Sequence, residues 1–211
     1  MNNQASGRRP SARTRLLTAA AECFYDQGVN ATGIDTIIAT AGVAKMSLYN
    51  NFASKDELVL AYLQARHEEW LELYRARARQ AKSPRERILA VFDAYVDHAE
   101  FAYQHGFRGC GLLNAAAELP AGAPGRDLVR RHKEEVESLL VGHLVEFGAD
   151  PEQAASTGEQ LAFLLEGAVA RAGLEGDAAR LQHARSIAGS LLDSLPVDSS
   201  HRSTGADPES E

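Results

Sequence analysis

One stretch limits the folds open to this chain more than any other: Thr32-Gly-Ile-Asp-Thr-Ile-Ile-Ala-Thr-Ala-Gly-Val-Ala-Lys-Met-Ser-Leu-Tyr-Asn-Asn-Phe-Ala-Ser-Lys-Asp-Glu-Leu58. Ile34, Ile37, Ile38 and Ala41 recur at helical spacing and stop at Ala41-Gly42-Val43. Gly42 can take the φ > 0 that a tight turn needs, and Val43 follows as an apolar plug. Leu48 and Phe52, four apart, give the next segment, about Ala44 to Asn51, one face to bury. Ser54-Lys-Asp-Glu57 then reads as a capping box opening a third helix. Thr32 and Asp35 form a second such pattern, Thr-x-x-Asp, predicted to cap the first of the three. The stretch is a helix-turn-helix with its exit.

The rest of the chain keeps the helical period and shows no sustained alternation of period two, so the fold class is all-α, with about nine helices. The first helix runs from Ser11, its N-cap, to Gln27, with Gly28 as the stop and Leu17, Ala20, Ala21 and Phe24 as its stripe. The helix opened by Ser54 extends towards Gln80. Ser83-Pro84 starts another, carrying Ile88, Phe92, Tyr95 and Ala99 and ending at Gly106. A short apolar segment, Leu112 to Leu119, precedes a loop rich in Pro and Gly at 120–125. Helices follow at about Arg126 to Phe147, from an Asp150-Pro151 cap to about Ala172, and from Asp177 to a stop at Pro196, with Leu181, Ala184, Ile187, Ala188, Leu191 and Leu195 inward. The expected organisation is a basic arm at 1–10, a helix-turn-helix domain at 11–58, a larger helical domain at 59–195 and a polar tail at 196–211.

The net charge of −7 argues at first against a nucleic acid partner. Its distribution argues otherwise. Residues 1–55 hold six basic and three acidic side chains, +3, which leaves −10 for the remainder. Arg8, Arg9 and Arg13 are placed to follow phosphates or enter a minor groove, or to form a plain solvated tail. With no apolar leader and no run of membrane-spanning length, a soluble, cytoplasmic protein is expected. Cys23 and Cys110 fit no metal spacing or disulfide framework and read as small buried residues, with a redox pair as the alternative. His67, His98 and His105 show no ligand spacing, so neither a metal nor a cofactor is expected. No nucleophile elbow, zincin, P-loop or dinucleotide motif supports an enzyme. A helical enzyme or an interaction module without DNA remains the alternative reading.

Held at its back by Leu48 and Phe52, the second short helix can enter a major groove. Lys45, Ser47 and Asn50 can then reach base edges, and Tyr49 can donate to a phosphate or pack on Phe52. Met46 reads as exposed filler. Lys55, at the start of the next helix, adds charge to an end suited to anions. The turn Ala41-Gly42-Val43 with Leu48-Tyr49, Phe52, Ser54-Lys55 and Leu58 resembles the DNA-binding signature of the tetracycline-repressor (TetR) family over about residues 12–60. The resemblance implies a homodimer on a palindromic operator, usually a repressor released by a small-molecule effector. It puts Lys45, Ser47, Tyr49 and Asn50 at the DNA, and Thr32 and Lys55 on phosphates. Two departures stand out: Ala44 replaces a common Ser N-cap, and Gly33 replaces a common Thr or Ser.

The family places its effector cavity and dimer seam in the C-terminal helices. Aromatics do concentrate there: Trp70, Tyr74, Phe92, Tyr95, Phe101, Tyr103 and Phe107, with His98, Asn114, His132 and His143 among them. Ordinary core packing is the competing reading for each. The expected effector residues are Trp70, Tyr74, Phe92, Tyr95, His98, Cys110 and Asn114, the last two carried by the glycine-rich stretch 107–114. Ala154, Gly158 and Ala162, with Ala184, Ala188 and Gly189, suggest close helix approach at a dimer seam, or the same packing within one chain.

Overall fold

The computed structural model describes residues 10–100 and 106–196. The expectations for Arg8, Arg9, Phe101, Tyr103, His105 and the tail beyond 196 lie outside these residues. Among them are nine α-helices and no strand: α1 Ala12–Gln27, α2 Ile34–Ala41, α3 Lys45–Tyr49, α4 Lys55–Ala78, α5 Pro84–Ala99, α6 Gly111–Glu118, α7 Pro124–Phe147, α8 Pro151–Glu175 and α9 Ala179–Ser194. None is long and apolar enough to cross a membrane. The chain divides into two compact units, Met1–Arg66 with Gly111–Val129, and His67–Cys110 with Arg130–Glu211.

In the first unit, Ser11 Oγ accepts from Thr14 N at 3.1 Å, a cap that contributes about 1 kcal/mol. Gly28 ends α1 at φ 91°. The buried face of α1 is Leu16, Ala19, Ala20, Cys23 and Phe24, so the expected stripe is turned by about one residue, and Leu17 and Ala21 are only half-buried. The reason is that α2, α3 and α6 all pack against α1 and widen its covered arc. Thr32 is not a helix cap. The N-cap of α2 is Gly33, without a side-chain bond. The Thr32 hydroxyl instead reaches back to Gly28 O at 2.7 Å and Cys23 O at 3.1 Å. The capping box at α4 is present: Ser54 Oγ accepts from Glu57 N at 3.1 Å, and Glu57 Oε2 accepts from Ala53 N at 2.6 Å.

The second unit is built around Trp70, Phe92, Tyr95, Phe107, Leu140, Leu144, Leu161 and Leu165. Its α9 packs on α5 and α8. Asp150 accepts from the N–H groups of Glu152 and Gln153 and starts α8, while Asp177 accepts from Ala179 N at 2.9 Å one residue before Ala178, the N-cap of α9. Of the small residues expected at a dimer seam, all but the half-buried Ala162 are buried within the chain. A Cβ on Gly158 would lie 2.5 Å from Val141 Cγ2, and Ala154, Ala184 and Ala188 are buried. What α8 and α9 leave exposed is different: Phe163, Leu174 and Ile187. Phe163, Gly167, Arg171, Arg180, His183 and Ile187 line an open apolar depression of about 260 Å³. Gly173 is jammed against the segment before α6, since its Cβ would lie 2.5 Å from Gly109 N, whereas Gly167 faces open space.

Candidate nucleic-acid interface

A helix of five residues cannot hold itself together in water. α3 is held by what lies behind it. Leu48 and Phe52 are 0% and 1% exposed, and burying each contributes about 1.5–3 kcal/mol. The turn before α3 is a Schellman motif: Gly42, at φ 59°, donates to Ala39 O, and Val43 N donates to Ile38 O at 3.3 Å. Arg15 Nη1 clamps the turn from α1, donating to Gly42 O at 3.0 Å and Ala41 O at 3.3 Å. Arg13 lies 5.0 Å over the Phe52 ring. Two arginines counted in the basic head therefore also fix the helix-turn-helix.

The free face is then presented as expected. Lys45, Tyr49 and Asn50 are exposed, Met46 is 68% exposed, and Ser47 is half-buried. Asn51 Nδ2 donates to Ser47 O at 2.7 Å and closes the last turn. Ala44 caps α3 without a side-chain bond. Lys45 Nζ meets Asp35 Oδ1 at 3.0 Å, and that hydrogen bond holds the ammonium above its ordinary pKa. Lys55 is the first residue of α4 and half-buried. Thr32 does not join this face. It is 0% exposed and its hydroxyl meets the Gly28 and Cys23 carbonyls, so its side chain closes the loop and is turned away from the free face.

In the second unit the fold gathers four of the expected effector residues into an aromatic cluster with polar groups at its edge. Trp70 stacks on Tyr74 with ring centres 5.7 Å apart, and packs on Tyr95 at 5.3 Å and edge-on to His132 at 5.4 Å. Phe92 is wholly buried in the same core. His98 meets Phe107 edge-on at 6.4 Å. Cys110 Sγ lies 3.6 Å from Lys133 Nζ, which also approaches Tyr95 OH at 3.5 Å and pairs with Glu166 at 2.6 Å. Asn114 is not part of this gathering. It is exposed on α6, in the first unit, because Gly111, Leu112, Ala115 and Ala116 take the covered side of that helix.

Lys133 and Glu166 carry the electrostatics of the cluster. Burial pulls the Lys133 pKa down, but Cys110, Tyr95 and Glu166 outweigh it and the net shift is upward. Burial raises Tyr95 and lowers His132 to about 3, the latter with help from Lys133, His67 and His98. His132 Nδ1 lies 3.0 Å from His67 Nδ1, so one of the two nitrogens donates and the other accepts. Tyr74 OH meets His143 Nε2 at 2.6 Å, and His143 Nδ1 reaches Glu146 at 3.1 Å. Pairing of Lys133 with Glu166 is invisible in the sequence. The available hint is one acid standing alone in the apolar run Leu161-Ala-Phe-Leu-Leu-Glu-Gly-Ala-Val169.

Comparison with known proteins places these features. A family model described as bacterial regulatory proteins of the tetR family matches residues 16–62, and one described as a tetracyclin repressor-like C-terminal domain matches residues 84–188. The transcriptional activator FasR of Mycolicibacterium smegmatis is 40% identical over 47% of this chain and 45% of its own. The transcriptional repressor KstR2 of the same organism is 29% identical over 66% of each. The chain thus spans about half to two-thirds of the length of these curated relatives. The crystal structure of SCO4454, a TetR-family transcriptional regulator from Streptomyces coelicolor, is 30% identical, covers 86% of this chain and 94% of its own, and superposes with a TM-score of 0.78. With its helix-turn-helix region and its C-terminal region both matching family models, this chain belongs to the TetR family of DNA-binding transcriptional regulators.

Proposed function

We propose that the chain acts as a homodimer that binds a palindromic operator through α3, represses transcription there, and leaves the DNA when a small molecule binds its C-terminal helices. The observation that carries the reading is α3 itself, apolar at its back and turned outward with Lys45, Tyr49 and Asn50. Lys45, Ser47 and Asn50 are assigned to base edges, and Tyr49 and Lys55 to phosphates. Trp70, Tyr74, Phe92, Tyr95, His98 and Cys110 are assigned to the effector region, with Lys133 and Glu166 added to them. A second copy is assigned to the face bearing Phe163 and Ile187, because large apolar groups left exposed on neighbouring helices are what an isologous interface covers.

Selection of bound duplexes from random DNA tests this. The expected result is an inverted repeat, bound with an affinity that falls steeply as salt rises. Light scattering that finds only monomer, or selection that returns no repeat, would defeat it. One observation favours a second reading of the sign of regulation: FasR is a named activator and KstR2 a named repressor. Transcription from a reporter carrying the selected site, with and without the protein, decides between them.

A further inference from the structure

Glu118, the last residue of α6, turns its carboxylate onto the loop between α1 and α2. Its Oε1 accepts from Val29 N at 3.0 Å and its Oε2 from Asn30 N at 2.7 Å. The contact is reciprocal, since Asn30 Nδ2 donates to the main-chain oxygen of Glu118 at 3.2 Å. Arg126 Nη1 donates to Ala116 O at 2.8 Å, so the end of α6 is also tied to the start of α7. On the far side, the Thr32 hydroxyl holds the Gly28 carbonyl. One side chain thus takes the N–H groups of the loop while another takes its carbonyl. Glycine suits position 28 because φ is 91°, and a Cβ there would lie 2.5 Å from Glu118 Oε1 and displace the carboxylate.

We propose that Glu118 is a positioning residue for operator binding, a latch through which the last turn of α6 sets the pose of the recognition helix. The inference rests on the operator reading above. The Schellman turn joins α2 and α3 into one piece, and Arg15 holds that piece to α1 at the turn. The loop 28–33 is a second tie: with the packing of α2 and α3 on α1 and the Arg15 bonds, it sets how that piece sits against α1. A carboxylate gripping two adjacent N–H groups is a strong, directional, charge-assisted constraint. Without it α3 keeps its own structure but its placement spreads. Base-edge contacts depend on placement, while attraction to phosphates depends mainly on charge. Loss of the latch therefore lowers affinity for the operator and not for DNA at large. The direction is diagnostic, because removing a negative charge from a DNA-binding unit would by itself tighten both.

The test compares the full-length wild type with Glu118→Ala and Glu118→Gln. The probes are the duplex the wild type selects from random DNA and a scrambled duplex of equal length. Glu118→Ala is expected to lose tenfold or more in operator affinity, with scrambled-duplex affinity within twofold and an unchanged salt slope. Glu118→Gln, which keeps one acceptor, should fall between, and if the alanine variant does not fold it carries the comparison alone with about threefold expected. Amide exchange at Val29 and Asn30 should quicken in the same order. Operator affinity within twofold of wild type, or operator and scrambled affinities falling together, would overturn the latch alone. A wild type that selects no sequence would overturn the operator reading and this proposal with it.

Discussion

Two lysines show how differently the two units use charge. Lys45 meets Asp35 at 3.0 Å with side chains 61% and 84% exposed, whereas Lys133 meets Glu166 at 2.6 Å with side chains 21% and 31% exposed. Water competes for the first pair at every moment, so it adds little to stability and its ammonium is free to exchange partners. The second pair lies among Tyr95, Cys110 and the aromatic cluster, where an uncompensated charge is expensive. The first unit thus keeps this pair loose at the surface, on the face proposed to meet DNA. The second holds a charge pair tightly within its core.

The largest expected effect attacks the inner pair. Lys133→Met leaves Glu166 without its cation and should lower unfolding free energy by about 2–3 kcal/mol, most of it recovered by adding Glu166→Leu. Chemical denaturation measures both, and equal losses in single and double variants would break the contrast. Next comes the outer face. Asn50→Ala should relax sequence preference, shrinking discrimination by about 1–2 kcal/mol at one base position, with total DNA affinity little changed. Lys55→Ala should instead weaken all duplexes alike and reduce the salt slope by about one. Identical behaviour of the two variants would contradict their separate roles.

A third measurement concerns His132, buried and lowered to about 3. Because the folded state resists protonating this ring, the unfolded chain binds more protons between pH 6.5 and 3. Stability is then full above about pH 6.5 and falls as pH drops, by up to about 1.4 kcal/mol per unit. His132→Phe should flatten the melting temperature between pH 6.5 and 5, where few carboxylates titrate. The smallest effect belongs to the outer pair. Asp35→Asn should leave the melting temperature where it is, tighten DNA binding two- to threefold and steepen the salt slope, by releasing Lys45 and removing a negative charge beside it.

Legibility in the sequence follows the same division. Ser11, Gly28, Gly42, Ser54 with Glu57, and Asp150 mark helix ends correctly because caps are local chemistry, set by residues within three or four positions. Thr32 shows the limit. Its Thr-x-x-Asp pattern can act as a capping box, but its hydroxyl is claimed by carbonyls at 23 and 28 once the loop folds back. The stripe on α1 is misplaced by a residue because periodicity reports one apolar face and α1 has three neighbours. Nothing local joins Lys133 to Glu166, or Glu118 to Val29 across 89 positions, and nothing local says that Asn114 faces outward. The exposed face of α3 was readable because what makes it a face, the burial of Leu48 and Phe52, is written four residues apart.

Two glycines on α8 set opposite terms for any engineer of this protein. At Gly173 the main chain of Gly109 occupies the space a methyl group would need, so a saturation library there should return glycine alone. Gly167 has nothing within reach of an added Cβ in the single chain, and there Gly→Ala should stabilise the helix by up to about 1 kcal/mol. That gain assumes the position stays uncovered. If a second copy seats itself over the neighbouring Phe163 and Ile187, the same methyl group has to find room against it. One inexpensive substitution therefore turns the protein into its own gauge: a rise in monomer stability with weakened self-association marks the covered face.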